Sequence, residues 1–399
     1  MNTSKSSSMG IIAIMSVFFL TMGVGTITPA LNSIMQAFPD LSISTIYLAS
    51  TLPSLTVIPA TLLAGVLAGD KVKYKTLAVI GIIIFILGGV APFFSDDFTV
   101  ILIERAIFGI GLGILSPLGN ALILGNFKGD RRASLMGIGT LSMNIGGIIL
   151  QFLGGFCAGL GWNYSFLPHI LGIVSLLLVI FFLPEPEKIA APANGEKHKM
   201  HVPGKVWILS ILFGCVMFID YPMLMGMSSY LVLTNIGDAA TSAVVLSFFT
   251  VGGMIAGVIF GKMFKGTGRF VIAVGLFLMA LGYVLILFVP NVIMITLGAA
   301  VMGLGFSTLM PAVMMILGMM SSPDDLALNT SIVLAIMNLF AFLSTYWIQM
   351  ITNITGDAII APMYVSMGIA IVGGLIFTFV NPFPKEQGSD IQSKPELED

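Results

Sequence analysis

Charge is what this chain has least of. Only 9% of its 399 residues are Asp, Glu, Lys or Arg, against about 25% in soluble globular proteins, so a soluble fold is excluded. The formal net charge of −2 gives no basis for a nucleic-acid partner. Cysteine is nearly absent: Cys157 and Cys215 both lie inside apolar runs and read as small buried hydrophobes, with no disulfide framework and no metal spacing. Of the three histidines, His198 and His201 lie in a polar stretch apart from His169, and no cluster of His, Cys and Asp forms. Paired acids, a nucleophile with its base and a metal cluster, the marks of an enzyme, are missing. A phosphate-binding P-loop is missing too, which argues against ATP drive. The longest polar stretch is too short for a soluble sensor domain. The first apolar run has no small-residue cleavage site after it and reads as a retained helix. No cofactor or metal is expected.

What the chain has in abundance is apolar length. Hydrophobic residues make up 57% and the mean hydropathy is +1.04. A helix crosses a bilayer with about 20 apolar residues, so the chain has room for around a dozen spans. Transmembrane strands alternate polar and apolar residues, whereas the runs here are continuous, so an all-α membrane protein is predicted. Twelve spans are expected at 10–35, 44–69, 76–94, 98–125, 133–159, 165–184, 206–234, 239–263, 269–289, 292–319, 328–353 and 360–381. The polar stretch 185–205 splits them six and six. The expected domains are an N-terminal half, 1–184; a cytoplasmic linker, 185–205; a C-terminal half, 206–381; and a polar tail, 382–399.

The basic residues test this count. Lys5, then Lys71, Lys73 and Lys75, then Lys128, Arg131 and Arg132, then Lys188, Lys197, Lys199 and Lys205, then Lys262, Lys265 and Arg269, then Lys385 and Lys394 all fall on one side of a twelve-span chain. The other side has none. By the positive-inside rule both termini are cytoplasmic, in the plasma membrane of the cell. The seventeenth, Arg105, lies inside span 4.

The halves repeat. Gly109, Gly111 and Pro117 recur as Gly303, Gly305 and Pro311, and Ala133, Met143 and Asn144 recur as Ala327, Met337 and Asn338, all at one offset of 194. Ala64, Gly65, Val66 and Gly69 recur at 192 as Ala256, Gly257, Val258 and Gly261. Two similar halves related by an axis along the membrane normal make a secondary-transporter architecture with a site between them.

Individual residues then carry the chemistry. An arginine within a span costs at least ~2.5–3.5 kcal/mol, so Arg105 either snorkels to the outer headgroups or faces the cavity, holding an anion or controlling a proton site. Glu104 is about 100° around the helix from it and does not simply pair with it; it pairs elsewhere, lies near the outer interface, or takes part in coupling. Asp220 sits in mid-span beside Pro222, which frees a backbone carbonyl and can kink the helix. It is read as a proton-coupling or substrate residue, or as a protonated structural acid. Asn144, Gln151, Asn338 and Gln349 either bond neighbouring helices or line the cavity. Gly109, Gly111, Gly303 and Gly305 allow close helix approach, and Pro117 and Pro311 read as paired kinks. Trp162, Trp207 and Trp347 fall near span ends, as interfacial anchors do.

These residues resemble the major facilitator superfamily over nearly the whole chain. Gly65, Leu67, Asp70, Lys71, Lys73 and Lys75 are similar to its Gly-x-Leu-Ala-Asp-Arg-x-Gly-Arg-Arg loop, with Gly69 inserted and Lys73 where a glycine is usual. Arg105, Gly109 and Gly111 match Arg-x-x-Gln-Gly-x-Gly, with Phe108 in place of the Gln. Gly154 and Gly155 match the end of the antiporter motif, whose Gly-Pro is absent. The resemblance implies a cavity lined by spans 1 and 7. It also implies a cytoplasmic gate at Asp70 and Lys71, in which Asp70 accepts hydrogen bonds from a helix N-terminus or from Arg131 or Arg132. The function expected is proton-coupled efflux of a small, lipophilic or weakly charged solute by a monomer in the lipid bilayer. The alternatives are proton-coupled uptake or exchange of a monovalent organic anion held by Arg105, and, in another class, a membrane-embedded sensor or enzyme.

Overall fold

The structure, a computed structural model, describes residues 8–69, 71–186, 202–322 and 325–383. Among these there is no strand, only an isolated bridge between Ala68 and Val72. Ten stretches are long and apolar enough to cross a membrane. One of them, Ala239–Phe288, has 50 residues. At 1.5 Å per residue that is about 75 Å, more than twice a ~30 Å hydrocarbon core. It is broken at Gly268, where φ is +51°, and so supplies two spans. A further span is the bent pair Ser8–Leu20 and Gly23–Ala37, at 42°. Twelve spans result, as the basic residues predict.

Span 1 runs Ser8–Leu20, then a 3-10 stretch Gly23–Ala30, then Leu31–Ala37. Spans 2 to 5 are Ile43–Leu67, Tyr74–Val90 with a 3-10 turn at Ala91–Phe94, Phe98–Asn126 and Gly129–Ala158. Span 6 opens with the 3-10 stretch Trp162–Leu171 and continues as Gly172–Phe182. Spans 7 to 12 are Gly204–Leu233, Ala239–Thr267, Val271–Phe288, Val292–Met320, Leu326–Thr355 and Ile360–Phe379. The irregular parts of spans 1 and 6 are departures from the expected plain helices. Pro29 and Pro168 lie within them and lack the N–H an α-helix needs. Hydroxyls take up carbonyls near the break: Thr21 donates to Phe18 (2.6 Å) and Thr26 to Gly23 (2.7 Å).

The helix ends follow the charge split. Ser42, Asp97, Asp238, Asn291 and Asp357 accept backbone N–H bonds at the starts of spans 2, 4, 8, 10 and 12, which satisfies groups a helix leaves open. All five lie on the side without Lys or Arg. At Asp238 the Thr241 N–H holds the carboxyl below its usual range.

The internal repeat reappears in the packing. A Cβ on Gly109 would strike the backbone of Pro53 on span 2, and one on Gly111 the backbone of Phe85 on span 3. At the repeat positions, a Cβ on Gly303 would strike Phe249 on span 8, and one on Gly305 the carbonyl of Gly275 on span 9. Spans 4 and 10 are thus wedged in the same way within their halves. Pro117 and Pro311 lie inside continuous helices. One apolar cluster fills the first half around Phe18, Phe85 and Phe108. Another fills the second around Met223, Met279 and Tyr283. A third draws on both, with Tyr47 and Phe166 beside Met225 and Ile348. Side chains such as Phe379 and Val258, more than 80% exposed, face outward as lipid-contacting residues do.

Candidate functional site

Arg105 is fully buried, and this excludes the snorkelling alternative. It lies two turns into span 4. Its Nε donates to the Ala49 carbonyl of span 2 at 2.8 Å. The guanidinium carbon lies 4.1 Å from the centre of the Phe108 ring and 6.0 Å from that of Phe166. Both terminal nitrogens are buried without a hydrogen-bond partner among the described residues. The charge is therefore held mainly by aromatic faces, a cation–π arrangement that strengthens out of water. Phe108, which replaces the motif's usual Gln, supplies the nearest face.

His169 completes this cage, and no pattern in the sequence marks it beyond its neighbour Pro168. It is fully buried, within electrostatic reach of Arg105, and its ring meets Phe108 edge-on at 4.8 Å and Phe85 at 5.5 Å. Nδ1 lies 2.8 Å from the Phe166 carbonyl and Nε2 3.3 Å from that of Gly23. One side chain thus joins the irregular stretches of spans 1 and 6. A neutral imidazole donates from one nitrogen only, so one of these two carbonyls receives its proton.

Asp220 occupies the second half. It is 2% exposed, and its Oδ1 is buried without a hydrogen-bond partner. Two tyrosines lie within its electrostatic reach. Tyr221 extends to Ser54 of span 2, and Tyr283 donates to the neighbouring Ile219 carbonyl at 2.6 Å. Two residues before it, Phe218 stacks on Trp347 at 5.2 Å and 14°. Trp347 is therefore not the interfacial anchor its position near a span end implied; its Nε1 is buried and unbonded. Trp207, 47% exposed near the start of span 7, does sit as an anchor would.

The structure does not bring Arg105 and Asp220 together. Glu104 turns away from Arg105 and accepts from Ser95 at 2.8 Å, while its other oxygen is buried and unbonded. Asn338 donates to the Leu334 carbonyl of its own helix at 2.9 Å, and Asn144 is half-buried. Gln151 is buried beside Gly25 of span 1. Gln349 accepts from Ser44 of span 2 and donates to Asn353.

Of the expected gate, Asp70 lies outside the described residues. Lys71 is exposed in a turn where Gly69, at φ +79°, donates to Val72 at 2.8 Å. Arg132 donates to the carbonyls of Phe127 and Leu124 at 2.9 and 3.0 Å, closing the end of span 4. Arg131 is exposed, 5.4 Å from the Phe127 ring centre. A residue the sequence reading passed over does cap a helix here: Glu185 accepts from the Tyr74 and Lys75 N–H groups at 2.7 and 3.0 Å.

The bonds that join the halves gather toward one end. Ser44 bonds Gln349, Thr51 bonds Thr345 at 2.7 Å, and Ser228 donates to the Pro29 carbonyl at 2.6 Å. This is the end that carries the acidic and polar caps. Near it, Gly155 packs against Ala239 and Ala243.

Comparison with known proteins agrees with this architecture. The family model described as Major Facilitator Superfamily matches residues 13–269 and 215–397. The riboflavin transporter RibZ of Clostridioides difficile is 29% identical over 178 residues, 44% of this chain and 39% of that protein. The multidrug efflux pump SdrM of Staphylococcus aureus is 29% identical over 166 residues, 40% of this chain and 36% of that protein. The matched stretch thus spans under half the length of these relatives. The crystal structure of the nucleoside transporter NupG superposes with a TM-score of 0.76 at 13% identity, covering 94% of this chain and 99% of that one.

Proposed function

This chain belongs to the major facilitator superfamily and is a secondary transporter of that type, and we propose that it exports a small lipophilic or weakly charged organic solute in exchange for protons. The exchange runs across the plasma membrane, with both termini in the cytoplasm.

One observation carries the coupling. Each half buries an ionisable side chain with polar atoms that lack hydrogen-bond partners among the described residues, both terminal nitrogens of Arg105 in the first and Oδ1 of Asp220 in the second. Such groups are costly in a membrane and mark proton and ion pathways. Asp220 carries the proton. It sits at mid-span with Oδ1 unbonded, one helix position from Tyr221, which reaches across to Ser54 of the other half. Loading and release of that proton would therefore be felt at the seam between the halves. Arg105 is the fixed positive element and stays in its aromatic cage.

The same burial decides between the two cargo classes. A monovalent anion would need access to the Arg105 Nη groups, and these are sealed behind Phe108, Phe166 and His169. No second basic side chain stands beside them among the described residues. An uncharged or lipophilic cargo needs no such access. The relative named as an efflux pump supports the outward direction. The side-chain bonds between the halves gather at the cap-bearing end, opposite the basic residues, and this supports a state closed to the outside. In that state Arg132 caps the end of span 4.

The test is transport in proteoliposomes under an imposed proton gradient, with a panel of lipophilic cations and organic anions. Gradient-dependent accumulation of the former supports the proposal. Accumulation of organic anions alone, or accumulation indifferent to the gradient, overturns it.

A further inference from the structure

A cavity lies within the last six spans, away from the seam between the halves. It has a volume of 510 Å³, within the range of small-molecule sites. Its walls are Val216 on span 7, Leu276 on span 9, Ile316 on span 10, and Gly373 and Phe377 on span 12. Lys205, in the first turn of span 7, is the only charged residue that lines it among the described residues.

The cavity opens sideways. Its floor residues Leu276 and Ile316 are buried, while Ile208 on span 7 is 62% exposed and Val380, just past span 12, is 53% exposed. These two rim positions face the surroundings of the bundle. Spans 7 and 12 meet at their far ends, where Ser366 donates to the Phe218 carbonyl at 3.0 Å and Gly226 faces Met363. Toward Lys205 they part, and the groove runs up between them. From Lys205 to Ile219, its deepest residue on span 7, is about 21 Å at 1.5 Å per residue. One leaflet's hydrocarbon depth is half of ~30 Å, about 15 Å. The groove is therefore as deep as a leaflet, with its apolar wall in the hydrocarbon and its single cation at the headgroup level. The start of span 7 adds to that cation. No side chain among the described residues caps it, with Pro203 at the N-cap position, and the positive end of a helix favours an anion.

We propose that this groove binds an anionic phospholipid of the cytoplasmic leaflet. One acyl chain lies between spans 7 and 12, and the headgroup phosphate sits on Lys205 at the start of span 7. A basic residue at the cytoplasmic mouth of an inter-helix pocket is the arrangement that recognises such headgroups. A water-soluble anion would leave the apolar walls unused, and a chain without a headgroup charge would leave Lys205 unused.

The full-length protein in detergent is titrated with phosphatidylglycerol and, separately, phosphatidylcholine, and lipid adducts are counted by native mass spectrometry. The expected result is one retained phosphatidylglycerol per chain, bound more tightly than phosphatidylcholine. Lys205→Ala weakens phosphatidylglycerol roughly fivefold, the worth of one lysine beside an anionic surface, and removes the preference. Gly373→Trp, whose side chain grows toward Leu276, abolishes retention of both lipids. Ile316→Phe, a smaller change in the floor, weakens both and serves if the tryptophan variant does not fold. Equal binding of the two lipids, an unaltered preference in Lys205→Ala, or displacement by soluble glycerol phosphate each overturns the proposal. Every readout is binding, so the outcome is independent of whether the chain exports a lipophilic solute.

Discussion

Replacing Arg105 with methionine separates its role in transport from any role in holding the fold. The substitution removes a buried charge, whose insertion costs at least ~2.5–3.5 kcal/mol. It also removes the bond to the Ala49 carbonyl, about 1.5–3 kcal/mol for a charged donor, and the cation–π contacts with Phe108 and Phe166, about 0.5–2 kcal/mol. A methionine keeps much of the side chain's length, so no large cavity opens. Its sulfur among those same rings returns ~0.3–1.5 kcal/mol. Gains of about 3–5 kcal/mol thus face losses of about 2–5 kcal/mol, and the net change is near zero.

Arg105→Met should therefore express, insert and melt within a few degrees of the wild type, while losing proton-driven accumulation of solute in proteoliposomes. Arg105→Lys keeps the charge but loses the planar fork and its stacking, so it should recover little transport. The assay pairs a thermal-shift measurement in detergent with gradient-driven uptake into inverted vesicles. Wild-type transport by Arg105→Met would refute the reasoning and reduce Arg105 to a packing residue. Failure of the methionine variant to insert would refute the energetic side, because the arginine would then be needed for the fold.

Asp220→Asn mimics the protonated acid, so it should lose accumulation under a proton gradient yet keep downhill exchange of solute; accumulation retained by the Asn variant would move coupling to Glu104. In a background with Cys157 and Cys215 replaced, a cysteine at Asp97 should label from outside and one at Arg131 from inside, and the reverse would overturn the orientation. Gly303→Val places a branched side chain on the Phe249 backbone and should destabilise by about 1–3 kcal/mol or more, seen as a lower melting temperature, whereas Gly257→Val, where no atom lies within 4 Å of the added Cβ, should not. Glu185→Ala removes two N–H acceptors at the start of span 3 and should cost about 0.5–2 kcal/mol, read as earlier proteolytic cleavage of the following linker.

How much of this was legible beforehand depends on the kind of signal. Span number and order were legible because every crossing needs its own apolar run and because the basic residues segregate between the two sides. The wedging of spans 4 and 10 was legible as well. Gly109 and Gly111 recur at one offset as Gly303 and Gly305, and each packs the same way in its own half. The breaks in spans 1 and 6 were not legible: Pro29 and Pro168 permit a 3-10 stretch but do not require one, and their runs are as apolar as unbroken ones. Trp347 was misread because distance from a span end cannot say which face of a helix meets its neighbour. Glu185 was missed because a capping carboxylate from 111 residues away leaves no local pattern near Tyr74.

Arg105 and His169 show most plainly where a sequence stops informing. A lone arginine in an apolar run is visible, and its insertion cost makes it a candidate wherever it points. Its surroundings come from four separate segments: Ala49 on span 2, Phe85 on span 3, Phe108 on its own helix, and Phe166 with His169 on span 6. Taken singly, each phenylalanine is indistinguishable from the other 28 in the chain, and His169 appears only as a histidine without metal-ligand company. The fold gives them meaning by bringing them together: His169 faces the carbonyls of Phe166 and Gly23 and lies beside Phe108 and Phe85. Because span 1 also gives its Pro29 carbonyl to Ser228 of span 7, the Arg105 cage and the seam between the halves share one mechanical element. The irregular stretch Gly23–Ala30 thus touches both, with its Gly23 carbonyl beside His169 of the cage and its Pro29 carbonyl bonded to Ser228 at the seam.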